Sequence, residues 1–264
     1  MNTYSLKALS DMESELDRFT LYAKLLKDRS DKSKINVLSE IRKIPVKVLE
    51  DSDVFWIEKP EEMLYPGFID ELDNFGVISP SNRKPIFHHR WVFPIKNSDG
   101  KVINFVGYSN MVDERYVYGT GKYYSRSNTL YGLENYDEAL RLGYAILTKG
   151  ITDTEAVRGL GYKNVFAWCG TMQSEEKLKL LNRCRYGVIR IPDRDIAGEK
   201  VTAFWNFNRY FNLTTMIGFK DSAQMLAEGE EMREHYRICL DESIKWILKK
   251  EHKGQKCMSS GGIM

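Results

Sequence analysis

Arg190-Ile191-Pro192-Asp193-Arg194-Asp195-Ile196-Ala197-Gly198 decides how the rest of this chain is read. Val188-Ile189-Arg190-Ile191 is a short β-branched run and predicts a strand, with two aspartates just past its end. Residues two apart on extended backbone share a face, so the Asp193 and Asp195 carboxylates can point the same way. Like charges held that close repel each other unless a cation sits between them. A divalent metal site serving phosphate chemistry, with magnesium as the ion, is the economical explanation, and a solvated acidic turn is the bland one.

The surroundings of that strand repeat its pattern. Tyr144–Thr148 predicts a buried strand followed by a helix from Thr152 to about Leu160. Asn164–Trp168 predicts a second strand, then Gly170-Thr171 and a helix near Ser174–Asn182. After the Asp pair a helix is expected from Ala197 to about Tyr210, then a fourth strand at Thr214–Gly218, Lys220-Asp221 and another helix. Strand–helix alternation at this spacing predicts a parallel sheet with helices on both faces. Right-handed crossovers bring the carboxyl ends of the strands to one edge. Lys149, Asp153, Gly170, Asp193, Asp195 and Asp221 all fall there, so four acidic groups share one rim.

Upstream the chain has another character. Ser10-Asp11-Met12-Glu13 reads as a capping box, and Met12, Leu16, Phe19, Ala23 and Leu26 follow as one apolar helix face. Lys27–Lys34 reads as a loop, and Ile35–Ile44 as a second helix stopped by Pro45. Pro66–Gly76 predicts a short helix with Gly76 as its C-cap. Arg90–Ile95 and Val102–Tyr108 predict a hairpin around the turn Asn97-Ser98-Asp99-Gly100. Tyr116–Ser127, rich in Tyr, Gly, Lys, Arg and Ser, suits a loop that touches phosphates and bases, or an ordinary exposed loop. Glu230–Lys250 predicts one amphipathic helix, and the Gly/Ser/Lys-rich tail after it predicts disorder.

The chain has 264 residues, 42% hydrophobic and 29% charged, an ordinary balance for one large or two modest domains. No apolar run approaches the ~18 residues that span a bilayer, and no secretory signal is read at the start, so no membrane partner is expected. Cys169, Cys184, Cys239 and Cys257 are scattered and form no Cys-x-x-Cys pair, which argues against a zinc ribbon and fits a reduced cytoplasmic setting. His88-His89 is read as structural. The net charge of +2 neither requires nor excludes a nucleic-acid partner.

Several blocks together resemble the DnaG-type primases, whose catalytic core carries a TOPRIM domain. Arg90-Trp91-Val92-Phe93-Pro94-Ile95, Asp99-Gly100-Lys101-Val102-Ile103, Phe105 and Gly107 resemble the family's hairpin block. Lys122-Tyr123-Tyr124-Ser125-Arg126-Ser127, Leu130-Tyr131-Gly132-Leu133 and Phe219-Lys220-Asp221 resemble three further blocks in the family's order. The resemblance runs from about Phe87 to Gly229, and together with the patterns on either side it predicts five parts. These are a helical segment at 1–60, a smaller α+β subdomain at 61–140, the TOPRIM domain at 141–229, a helix at 230–250 and a disordered tail at 251–264.

The resemblance further implies template-directed synthesis of short RNA primers on single-stranded DNA by two-metal nucleotidyl transfer. Asp193, Asp195 and Asp221 would hold Mg2+ (or Mn2+), Asp153 would join Asp193 and Asp195 in catalysis, and Arg90, Lys122, Arg126 and Lys220 would meet nucleotide or template. For Asp153 a helix-terminal carboxylate is an equal alternative. Implied partners are single-stranded DNA, ribonucleoside triphosphates, and a replicative helicase or a separate zinc-binding protein, since no zinc module is recognised; the implied setting is the cytoplasm, the host's if a phage encodes the chain. Two positions depart from the family. Lys149 stands where a glutamate is expected, and Ala223 where a second aspartate is expected. Lys149 either substitutes a charge for a metal or marks lost catalysis, which leaves a non-catalytic DNA- or partner-binding homologue as the alternative.

Overall fold

The computed structural model describes residues 14–65, 68–112, 114–170, 174–194 and 207–249. Two compact units emerge. One comprises Val46–Ser125 with the described part of Met1–Ile41; the other comprises Arg42–Pro45 with the described part of Arg126–Met264.

The first unit is built on an antiparallel sheet of order β1-β2-β3-β4: β1 (Phe55–Ile57), β2 (Arg90–Lys96), β3 (Val102–Tyr108) and β4 (Tyr116–Tyr118). The expected hairpin is present as β2 and β3. Pro94 is tolerated in β2 because β1 pairs only with Arg90–Val92, so the missing N–H faces no ladder there. Helices α1 (Glu15–Arg29), α2 (Ser33–Arg42) and α3 (Val46–Asp51) precede the sheet. Phe19 from α1, Phe68, Phe75 and Phe105 form the core with Tyr22, and the Phe19 and Phe75 rings stack with centroids 3.7 Å apart.

Two expectations in this unit are corrected, and a third lies outside the described residues. The capping box at Ser10–Glu13 lies outside the described residues, and α1 is capped by Ser14, whose hydroxyl accepts from the Asp17 N–H at 3.1 Å. The expected loop at Lys27–Lys34 shrinks, because α1 runs to Arg29 and ends where the Ser30 N–H returns to Leu26 and Lys27 carbonyls. Pro66–Gly76 is not a helix over its described part, which holds a 3-10 turn at Ile69–Glu71. Tight turns there aim Phe68, Leu72 and Phe75 into the core, and Gly76 closes them at φ +62° where a Cβ would strike the Thr120 backbone.

The second unit is the expected α/β architecture. Its parallel sheet runs β6-β5-β7-β8, with β5 (Tyr144–Thr148), β6 (Val165–Ala167), β7 (Gly187–Ile191) and β8 (Tyr210–Asn212). Helices α4 (Tyr136–Leu142), α5 (Ile151–Arg158), α6 (Glu175–Leu181), α7 (Ser222–Leu226) and α8 (Glu230–Lys249) flank it. β5 matches its expected bounds. The fourth strand does not: it lies at Tyr210–Asn212 instead of Thr214–Gly218, which also removes Tyr210 from the expected helix. The cause is β7's buried Arg190, whose guanidinium lies 3.7 Å from the Tyr210 ring centroid while its Nε donates to Asn212 Oδ1 at 2.7 Å. Residues 195–206, which hold Asp195 and most of that helix, and the tail at 251–264 lie outside the described residues. Among the described residues, no helix is long and apolar enough to cross a membrane.

Candidate active site at the carboxyl edge of the parallel sheet

β5 ends at Thr148, and the chain continues as Lys149-Gly150 into α5. Beyond their strand ends the two neighbours stay paired, with Trp168 N–H on the Thr148 carbonyl at 3.0 Å and Cys169 N–H on the Lys149 carbonyl at 3.1 Å. This pairing fixes the backbone of Lys149. Its ammonium reaches Asp193, just past β7, and sits 2.8 Å from Oδ2 with both side chains largely shielded. Gly150 is the N-cap of α5, and a Cβ there would come within 2.8 Å of Asp153 Oδ2. Glycine therefore lets the turn lie against the Asp153 carboxylate.

Asp153 is buried in the first turn of α5, and its Oδ1 accepts the Ala223 N–H at 3.0 Å. Burial, with the Asp221 and Asp193 carboxylates nearby, pushes its carboxyl up to about 8, against the pull of the Ala223 N–H and of the Arg42 guanidinium. Arg42 itself is held by Thr152 Oγ1 at 2.6 Å. Asp221 caps α7, its Oδ1 accepting the Gln224 N–H at 2.8 Å. Ala223 is buried at the start of that helix, so the expected second aspartate is replaced by a backbone donor to Asp153. The Arg194 N–H donates to the Lys220 carbonyl at 2.6 Å, joining the Asp193 and Asp221 segments.

Asp193 and Asp221 thus each come within electrostatic reach of Asp153, while Asp195 lies outside the described residues. The other expected contacts divide. Arg90 is buried in the first unit, and its Nη1 donates to the Glu114 and Arg115 carbonyls at 2.9 and 3.3 Å. Lys122 pairs with Glu15 at 3.0 Å. Arg126 Nε donates to the Cys169 carbonyl at 3.1 Å, which holds that arginine at the β6 end of the edge. Lys220 is exposed beside Asp221.

Sequence reasoning missed Lys177. It is fully buried on α6, and its ammonium donates to the carbonyls of Trp168 and, at 2.8 Å, of Arg126. Burial pulls it down to about 8. A lone lysine beside Leu178 and Leu181 gave no signal, because a lysine on a helix is ordinarily solvated. Glu155 is also buried, bonded to the Tyr131 hydroxyl at 2.7 Å and to Arg158 at 3.0 Å. Tyr131 in turn bridges β6 through paired backbone bonds with Ala167.

Comparison with known proteins gives this edge a context. No family model matches the chain. The DNA primase of Mycolicibacterium smegmatis is 29% identical over 159 residues, which is 56% of this chain and 24% of that protein. The DNA primase of Clostridium acetobutylicum is 29% identical over 174 residues, 63% of this chain and 28% of that protein. A solved DnaG primase catalytic domain bound to ssDNA superimposes with a TM-score of 0.69 at 17% identity, covering 94% of this chain and 83% of that one. The chain is homologous to DnaG-type DNA primases at moderate identity, and its mixed α/β fold matches primase catalytic cores. The matched regions span about a quarter of the length of these curated relatives.

Homology to primases implies a divalent-metal requirement in general, and the edge can be tested for it. Asp193 Oδ2 faces the Lys149 ammonium, Asp153 Oδ1 holds the Ala223 N–H and Asp221 Oδ1 holds the Gln224 N–H. Among the described residues, no three His, Cys, Asp or Glu side chains gather as a metal-holding group. As arranged among the described residues, each of the three carboxylates already engages a group of the chain through one oxygen, so a divalent cation at Asp193 would have to displace the Lys149 ammonium.

Proposed function

We propose that this chain is a DNA primase-like catalytic core whose template is single-stranded DNA and whose substrates are ribonucleoside triphosphates. The observation that carries the reading is the convergence of Asp153, Asp193 and Asp221 on the carboxyl edge of a parallel sheet, in a chain homologous to DNA primases. On this reading residues 141–229 are a TOPRIM-type domain, and Asp195 joins the three carboxylates.

The chain's own groups would divide the work by where they are held. Arg126, held by the Cys169 carbonyl, and exposed Lys220 would meet phosphates at this edge, and Lys122, paired with Glu15 in the first unit, would meet nucleotide or template after leaving that carboxylate. Arg90 is the weakest of the nucleotide-binding candidates, since backbone carbonyls already engage its guanidinium. Magnesium or manganese is the cation to supply in the assay. A helicase, or a separate zinc-binding protein, is the class of partner expected to guide template choice.

Template-dependent incorporation of labelled ribonucleotides on single-stranded DNA tests the reading. Short products that require both template and divalent cation are expected; no product at high protein concentration with either cation would refute it. The Lys149–Asp193 ion pair is the specific feature that speaks for the second reading, a homologue that binds DNA without catalysis. In that case DNA binding with the steep salt dependence of phosphate contacts would persist without product.

A further inference from the structure

From the placement of Lys149 we infer that the chain carries its own cation at this edge, and that this ammonium holds divalent ions off Asp193. The inference deepens the primase-like reading of the same site and rests on it for the expectation of a metal. Three features make the pair a built feature of the fold. The Lys149 backbone is pinned by the Cys169 N–H at 3.1 Å, so the side chain starts from a fixed point. Its ammonium lies 2.8 Å from Asp193 Oδ2 with only 23% and 13% of the two side chains exposed, so solvent screens the pair weakly. The remaining carboxylates also face groups of the chain itself, the Ala223 N–H and Arg42 at Asp153 and the Gln224 N–H at Asp221.

A divalent ion arriving at Asp193 would meet a positive charge about one ion-pair distance away. Repulsion between +1 and +2 charges at that separation weakens binding by about tenfold or more even where the effective dielectric is close to that of water. The sign of the effect follows from charge alone, so arginine at the same position should preserve it and an uncharged side chain of similar length should remove it.

The test is Mn2+ binding to the full chain, followed by the paramagnetic signal of the free ion, with circular dichroism to confirm folding. Lys149→Gln is expected to bind Mn2+ at least tenfold more tightly than the unsubstituted chain, Lys149→Glu more tightly still, and Lys149→Arg no more tightly. Adding Asp193→Asn to Lys149→Gln is expected to abolish the gain, which locates the ion. Equal Mn2+ affinity in the unsubstituted chain, Lys149→Gln and Lys149→Glu would overturn the inference, and using two variants keeps that outcome readable if one fails to fold. The two ideas fail separately: absent primer synthesis refutes the reading of function, whereas equal Mn2+ binding refutes the role of Lys149.

Discussion

The two units of this chain treat charge in opposite ways. In the antiparallel unit, charged side chains pair near solvent: Lys27 and Lys96 flank Asp53, Arg18 meets Glu71, and Lys122 meets Glu15. Its interior is aromatic, and Arg90 is the one charged residue buried there among the described residues. The parallel-sheet unit buries Asp153, Glu155, Lys177 and Arg190. Removing a charge from water is costly unless the fold supplies partners, so each of these had to be built around. The difference teaches where to look for chemistry. The first unit uses charge to close its surface, and the second holds charge inside the fold and at the carboxyl edge of its sheet.

The largest expected effect comes from Glu155→Ala. Glu155 is wholly buried and is bonded to the Tyr131 hydroxyl and to Arg158. Truncation strands a buried hydroxyl and leaves the guanidinium with Glu134 as its carboxylate partner. A loss of about 3–5 kcal/mol in urea-unfolding stability is expected. A loss below about 1 kcal/mol would show that the second unit's buried charges are as dispensable as the first unit's surface pairs, and the contrast would collapse.

Asp153→Asn sharpens the contrast through pH. The Asp153 carboxyl is held at about 8 in the fold against an ordinary value of 3.8. Between those values the folded state keeps a proton that the unfolded state has lost, so stability falls as pH rises from about 4 to about 8. The amide cannot ionise, and its oxygen can still accept the Ala223 N–H. The variant is therefore expected to match the unsubstituted chain near pH 4 and to exceed it by a few kcal/mol near pH 8, at about 1.4 kcal/mol per pH unit at most. Parallel thermal melts at the two pH values check it, and an unchanged difference between them would refute the raised carboxyl.

Much of this was legible in the sequence where the signal was local. Tyr144–Thr148 is a continuous run of strand-forming residues whose bounds coincide with β5, and the alternation around it predicts the parallel sheet. The edge position of Asp193 follows from topology, because every strand of such a sheet delivers its end to one side, whereas Asp221 is held as the N-cap of α7, well past β8. What stayed hidden depends on tertiary partners. Tyr210–Asn212 carries a weaker strand signal than Thr214–Gly218, yet Arg190 selects it by stacking on Tyr210 and bonding Asn212. Arg90 matched a family block, but its backbone-bracing contacts depend on where the chain places Glu114 and Arg115. Lys149 could be flagged as a misplaced charge from sequence, whereas its choice of Asp193 needed the two strand ends side by side.

The smallest effect belongs to the first unit. Lys27 donates to Asp53 at 2.5 Å and to the Glu50 carbonyl at 2.9 Å, and it is about one-third exposed. Lys27→Ala leaves Asp53 with Lys96 at 2.6 Å, so no carboxylate is stranded, and water reaches the vacated position. An exposed pair of this kind contributes roughly 0–1 kcal/mol, and added salt erodes it. The same urea titration used for Glu155→Ala should place this loss below about 1 kcal/mol and shrink it further at high salt. A loss as large as that of Glu155→Ala would mean that the Asp53 site, too, depends on every partner, and charge would no longer separate the two units.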